Sequence, residues 1–142
     1  MHLIVAATDG SEGADRAIDM AATLAKATAS KLLVITVGDS FSGEGVEELA
    51  RAEGGIGEAL ELIGNQIMRR ARERAVAQGA PSVEVQLRWG DPTEAVIQSA
   101  QDAKADAIVV GRRGRGRLAG LLLGSVSQKL VSLAPCAVIV VP

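Results

Sequence analysis

Short β-branched runs alternate along this chain with longer stretches of helical spacing, the pattern of a parallel α/β sheet. Residues 3–7 (LIVAA) predict a first strand. Ala14, Ala17, Ile18, Ala21, Leu24 and Ala25 then recur on one helical face, and their small size predicts a helix lying close on the sheet. Residues 32–37 (LLVITV) read as a second, buried strand. The polar, glycine-bearing segment 38–57 reads as a long mobile loop with a short helical piece near 46–51. Leu60, Ile63, Ile67, Ala71 and Ala75 mark a second long helix that ends near Gly79.

Residues 83–88 (VEVQLR) alternate apolar and polar side chains, which fits an edge strand solvated on one face. In Asp91-Pro92-Thr93-Glu94 the aspartate can cap a helix, the proline suits its first position, and the glutamate can reach back to the cap amide. That helix turns Val96, Ile97 and Ala100 inward. Residues 107–110 (AIVV) give a fourth strand, 124–133 a last helix, and 137–141 (AVIVV) a fifth strand. The expected architecture is a three-layer, doubly wound, five-stranded parallel sheet with helices on both faces. Sheets of this kind bind ligands beyond the carboxyl ends of their strands. The informative segments are therefore 8–11, 37–40, 89–91 and 111–125.

At 142 residues the length suits one domain, and 48% hydrophobic residues suffice for its core. One Trp, one Phe and no Tyr argue against binding nucleic acid by stacking, and a net charge of −2 argues against a general polyanion binder. Cys136 is alone and His2 is the only histidine, which disfavours disulfides and a zinc site. The start of the chain lacks the basic region of a signal peptide, and no apolar run is long enough to span a membrane. A cytoplasmic location with no membrane partner is expected.

One segment reverses the local charge. Residues 111–127 read GRRGRGRLAGLLLGSVS directly after a buried strand, with Gly111, Gly114 and Gly124 spaced G-x2-G-x9-G and Ser125 following. Glycines let backbone amides approach an anion, and a helix that starts at Gly124-Ser125 offers free amides and its positive dipole end. Ser125 and Ser127 add hydroxyls, and Arg112, Arg113, Arg115 and Arg117 add four cations. The pattern suits a polyphosphate; a Gly/Arg-rich surface loop is the plainer reading of the same residues, and contact of the arginines with RNA phosphates a lesser one.

The spacing, together with Leu123-Gly124-Ser125-Val126-Ser127, Ala134-Pro135-Cys136, the opening Ala7-Thr8-Asp9-Gly10-Ser11 and the turn Gly90-Asp91-Pro92, resembles the ATP-binding branch of the universal stress protein family. The resemblance spans nearly the whole chain and is loosest in 38–57. Ala137 departs from it, since the family has a proline there. The resemblance implies strand order 3-2-1-4-5. It also implies an ATP site in which Gly111, Gly114, Gly124 and Ser125 contact the triphosphate, with Val126 and Ser127 close by; Arg112 and Arg113 of the same loop are counted among the binding residues. Asp9 would lie by the ribose or a phosphate-bound Mg²⁺, with Ala7 and Thr8 beside it among the binding residues, and Val37 would flank the adenine. It places strand 137–141 at an edge, where an apolar strand invites a homodimer unless the protein's own helices cover it.

Plainer roles compete at single positions. Asp9 also suits a turn or a helix cap, Trp89 a half-buried core edge as well as an adenine pocket, and Cys136 an inert packed thiol. No acid/base or nucleophile set is present, so binding is the expected event, with at most slow ATP hydrolysis. An adenylating enzyme would carry Ser-Gly-Gly-x-Asp-Ser after strand one, where this chain has Thr8-Asp9-Gly10-Ser11. A phospho-acceptor receiver would need an acidic pair after strand one and a lysine after strand five. A nucleotide-free or AMP-binding module acting through dimerisation is the remaining alternative.

Overall fold

The computed structural model describes residues 1–38, 48, 50–52, 54–112 and 123–142. Strands β1 (Leu3–Ala7), β2 (Lys31–Val37), β3 (Val83–Arg88), β4 (Ala107–Gly111) and β5 (Ala137–Val141) form one sheet in the order β3-β2-β1-β4-β5. Every neighbouring pair is parallel. Helices α1 (Glu12–Thr28), α2 (Ile56–Ala77), α3 (Pro92–Asp102) and α4 (Ser125–Leu133) connect them. The doubly wound sheet and its order are those expected, with β3 and β5 at the two edges.

Strand alternation sorts the core into two layers. Ile4, Ala6, Leu32, Val34, Val109 and Val141 pack under α1 and α2, against Ala17, Ile18, Ala21, Ala71 and Ala75. Val5, Leu33, Ile35, Ile108 and Val110 face the other way, against Ala95, Val96 and Ala100 of α3 and Leu130 of α4. The alanines of α1 and α2 let these helices lie close on the sheet. Gly64 serves the same end: a Cβ there would come 2.8 Å from Leu87 on β3.

Helix α2 begins earlier than its apolar spacing suggests. It starts at Ile56, inside the segment read as loop, because Ala59 is fully buried and extends the apolar stripe by a turn. Glu48 and residues 50–52 are helical, as expected near 46–51, while 39–47, 49 and 53 lie outside the described residues. Asp91 caps α3 by accepting from Glu94 N–H at 3.0 Å, with Pro92 at the first helical position. Cys136 packs against the second layer, and burial, then the Asp106 charge, pushes its thiol pKa up, in keeping with an inert thiol.

Two arginines join α2 to α1. Arg70 pairs with Asp15, and Arg74 holds Asp19 with a fork at 3.1 and 2.5 Å. The hydrogen bond to Asp19 raises the Arg74 pKa, so its guanidinium stays charged. The arginine side chains are 55% and 37% exposed, so each pair is worth about 1 kcal/mol or less. A buried Leu or Ile cut to Ala costs about 2–5 kcal/mol. Packing therefore holds α2 down, and the ion pairs fix its register on α1.

At the amino ends of the strands, the Asp106 carboxylate accepts from the backbone N–H groups of His2 at 2.5 Å and Leu3 at 3.0 Å. Its own N–H donates to Leu3 O at 2.9 Å, so β1 and the turn before β4 are stapled together. The bonds from His2 and then Leu3 hold the Asp106 pKa below the usual carboxylate range. A lowered folded pKa adds stability above the unfolded value of about 3.9, and that stability is lost as pH falls through the folded pKa. Asp106→Asn should lower the urea midpoint at pH 7, with the deficit shrinking below about pH 4. A deficit that stays constant down to pH 2 would show that the carboxylate charge plays no part.

Candidate functional site

The carboxyl ends of β1 and β4 lie side by side at the centre of the sheet, with Ala6 opposite Val109. From there the chain leaves β1 toward α1 on one face and β4 toward α4 on the other, which opens the crevice typical of a doubly wound sheet. Gly111 sets how closely the two sides meet. A Cβ on it would fall 2.9 Å from both the carbonyl carbon and the oxygen of Gly13. Those are backbone atoms, so the first turn of α1 could not rest on the end of β4 with any side chain at 111.

The segment Thr8–Ser11 forms the β1 side. Thr8 is buried and its N–H continues the ladder to Ile35 O at 2.9 Å. Its hydroxyl accepts from Gly10 N–H at 3.1 Å, and Asp9 Oδ1 accepts from Ser11 N–H at 2.9 Å. These local bonds fold the turn. Ser11 then caps α1 by accepting from Ala14 N–H at 3.2 Å. The plainer role of Asp9 is thus real, and α1 enters the crevice with its own cap in place. Ala7, the last residue of β1, packs its side chain into the second layer.

The β4 side is built around the backbone of Arg112. Its N–H donates to Val141 O at 2.7 Å, tying it to β5. Its carbonyl accepts from Gly124 N–H at 2.7 Å and from the Ser127 hydroxyl at 2.7 Å, so both carbonyl lone pairs are used. Ser127 also lies 3.1 Å from Gly124 O and is 3% exposed. This clamp closes the two ends of the long β4–α4 connection and puts the start of α4 beside the end of β4. Gly124 has an extended φ of −76°, which any residue could adopt, and among the described residues no side chain caps α4. The backbone N–H groups of Ser125, Val126 and Ser127 therefore form an uncapped first turn at this edge. The Nε–H of Arg112 is buried and has no hydrogen-bond partner among the described residues.

The predicted residues fall into three groups. Ala7, Thr8, Asp9, Gly111, Arg112, Gly124, Ser125, Val126 and Ser127 come together at this edge. Val37 ends the neighbouring strand, but its side chain belongs to the second layer and is 4% exposed. Arg113 and Gly114, with Arg115 and Arg117, lie outside the described residues. The sequence reading missed the clamp, because backbone groups make most of it and only Ser127 shows in the residue types. It also assigned Gly111 to a ligand alone, whereas contact with Gly13 already requires a glycine. Among the described residues, no three His, Cys, Asp or Glu side chains cluster to hold a metal ion.

A family model described as the universal stress protein family matches residues 1–142. This chain belongs to the universal stress protein family. A universal stress protein of Thermus aquaticus is 37% identical over 147 residues, covering 97% of this chain and 96% of the relative. One from Mycobacterium tuberculosis is 32% identical, covering 97% and 94%. Among solved structures, a universal stress protein in complex with cAMP superposes with a TM-score of 0.73 at 31% identity, over 99% of this chain and 95% of that one. Family membership carries the fold through both edges of the sheet; the Arg112 clamp and the uncapped α4 are observations on this member itself.

Losing the Ser127 hydroxyl should loosen the clamp without removing the Gly124 bond. Ser127→Ala is expected to cost about 0.5–1.5 kcal/mol of unfolding free energy and to speed exchange of the Gly124 amide. Urea denaturation and amide exchange measure the two effects. Wild-type values in both would mean that the hydroxyl does not hold the connection shut.

Proposed function

We propose that the chain, over residues 1–142, is a single ATP-binding domain of a stress-response or regulatory protein, with nucleotide binding as its working event. One observation carries the reading. The uncapped first turn of α4, held against β4 by the Arg112 clamp, is an anion seat at the crevice of the sheet. The buried Arg112 Nε–H would gain an acceptor in a phosphate oxygen. Phosphates at Gly111, Arg112, Arg113, Gly114 and residues 124–127 would place the ribose by Ala7, Thr8 and Asp9. The base would lie toward Val37, whose buried side chain leaves recognition there to the backbone. With no carboxylate cluster among the described residues, Mg²⁺ would fit here as an ion bound mainly through phosphates, with Asp9 as its protein ligand.

The cAMP complex of a relative at 31% identity favours a second reading, in which a cyclic or mono-nucleotide is the ligand. Calorimetry with ATP, AMP and cAMP separates the two. ATP should bind tightest, because the seat on α4 rewards a polyphosphate. Gly124→Val, which crowds the approach to the first-turn amides, should lower ATP affinity at least about tenfold, a loss of about 1.4 kcal/mol, with the far-UV CD spectrum unchanged. Undiminished affinity would remove Gly124 from the site.

Homodimerisation through strand 137–141 belongs to the same proposal. β5 is an edge strand whose Val138, Ile139 and Val140 are only partly buried, and Val131 and Leu133 on α4 are 54% and 64% exposed. A long apolar edge left uncovered is prone to association. A cytoplasmic location is proposed with it; no helix among the described residues is long and apolar enough to cross a membrane. Sedimentation should give a dimer, and Ile139→Lys a folded monomer by CD. A dimer that survives the change would place the interface elsewhere.

A further inference from the structure

The register of β2 and β3 pairs Val37 with Arg88, so Gly38 and Trp89 are the next residues on neighbouring strands, at the same edge as the crevice. The indole of Trp89 rests directly on Gly38. A Cβ at position 38 would lie 2.1 Å from Cζ3, 2.6 Å from Cε3 and 2.7 Å from Cη2 of the ring. No side chain can share that space, so the glycine is the seat of the indole. Trp89 is also fixed along the chain. The ladder rung at Arg88 precedes it, and Gly90 follows with a φ of +97°, turning the backbone into the Asp91 cap of α3. A side chain this well anchored is nevertheless 49% exposed.

We propose that Trp89, seated on Gly38, is the wall against which the base of the ligand stacks, and so a specificity-determining residue for heteroaromatic bases over bare polyphosphate. The proposal rests on the nucleotide reading above. In the sheet order the end of β2, on which the indole rests, and the end of β4 are two strand spacings apart, roughly 10 Å, a span that an extended nucleoside phosphate covers. Aliphatic side chains dominate this chain, which has one Trp, one Phe and no Tyr, so Trp89 is a rare flat π-surface in it. Stacking on such a surface is worth a factor of about five to a hundred in affinity for a base. The Gly38 seat holds the ring in place before binding, so little ordering remains to oppose the contact.

The full chain is titrated with ATP and, separately, with inorganic tripolyphosphate, following Trp89 fluorescence and calorimetric heat together. ATP should quench or shift the emission, and tripolyphosphate should bind without doing so. Trp89→Ala should weaken ATP about five- to hundredfold and leave tripolyphosphate affinity unchanged, while Trp89→Phe recovers most of the loss. Gly38→Ala, which puts a Cβ into the indole, should mimic Trp89→Ala with its CD spectrum intact. Tight ATP binding with silent Trp89 emission and an unaffected Trp89→Ala variant would overturn this proposal and leave the nucleotide reading standing. No ATP heat in the wild-type chain would overturn both.

Discussion

The carbonyl oxygen of Arg112 accepts from the Gly124 amide and the Ser127 hydroxyl, while the Arg112 amide donates to Val141. Three elements meet on that one peptide neighbourhood: the end of β4, the end of β5 and the first turn of α4. Packing of Val126 and Leu130 holds α4 on the sheet, and the clamp sets where its first turn stands relative to the end of β4. With it, the uncapped amides of α4 stand beside the strand end that Gly111 brings against Gly13. The proposed anion seat is a consequence of that closure.

The two helix starts at the crevice differ in kind. Ser11 closes α1 with its own hydroxyl, and the turn before it is folded by Thr8 and Asp9. α4 has no side-chain cap among the described residues. A capped start is satisfied by the protein itself, whereas an uncapped one is completed by solvent or by an anion. Under the proposed reading, this asymmetry would seat the phosphates on the α4 side and leave Thr8 and Asp9 for the sugar and its attached ion. It also explains why binding rather than turnover is the proposed event: backbone amides and a buried guanidinium hold charge, but they neither take nor give a proton.

Much of this was legible in the residues. Strand periods, the alanine face of α1 and the Asp91-Pro92 helix start all reappear as read, since each is a local preference that agrees with the packing around it. The start of α2 was misjudged because glycines at 54, 55 and 57 look like loop, while burial of Ala59 decides for helix. For the candidate site, residue types spoke to placement more than to role. Of the residues named from the glycine spacing, Gly111 and Gly124 meet at one edge of the sheet, yet the Gly124 amide and Ser127 hydroxyl are engaged with Arg112, and the Val37 side chain lies in the core. Those assignments depend on backbone partners distant in sequence, which residue types do not reveal. Gly38 beneath Trp89 is the same case: only the β2–β3 register brings the pair together.

The first turn of α4 is the decisive element of the proposed site. Backbone ¹⁵N–¹H NMR of the full chain during an ATP titration observes it directly. The largest amide shifts should fall on Ser125, Val126 and Ser127, with smaller ones at Thr8 and Asp9, and exchange of the first three should slow at saturation. Saturation by ATP with those three amides unmoved would contradict the proposed site.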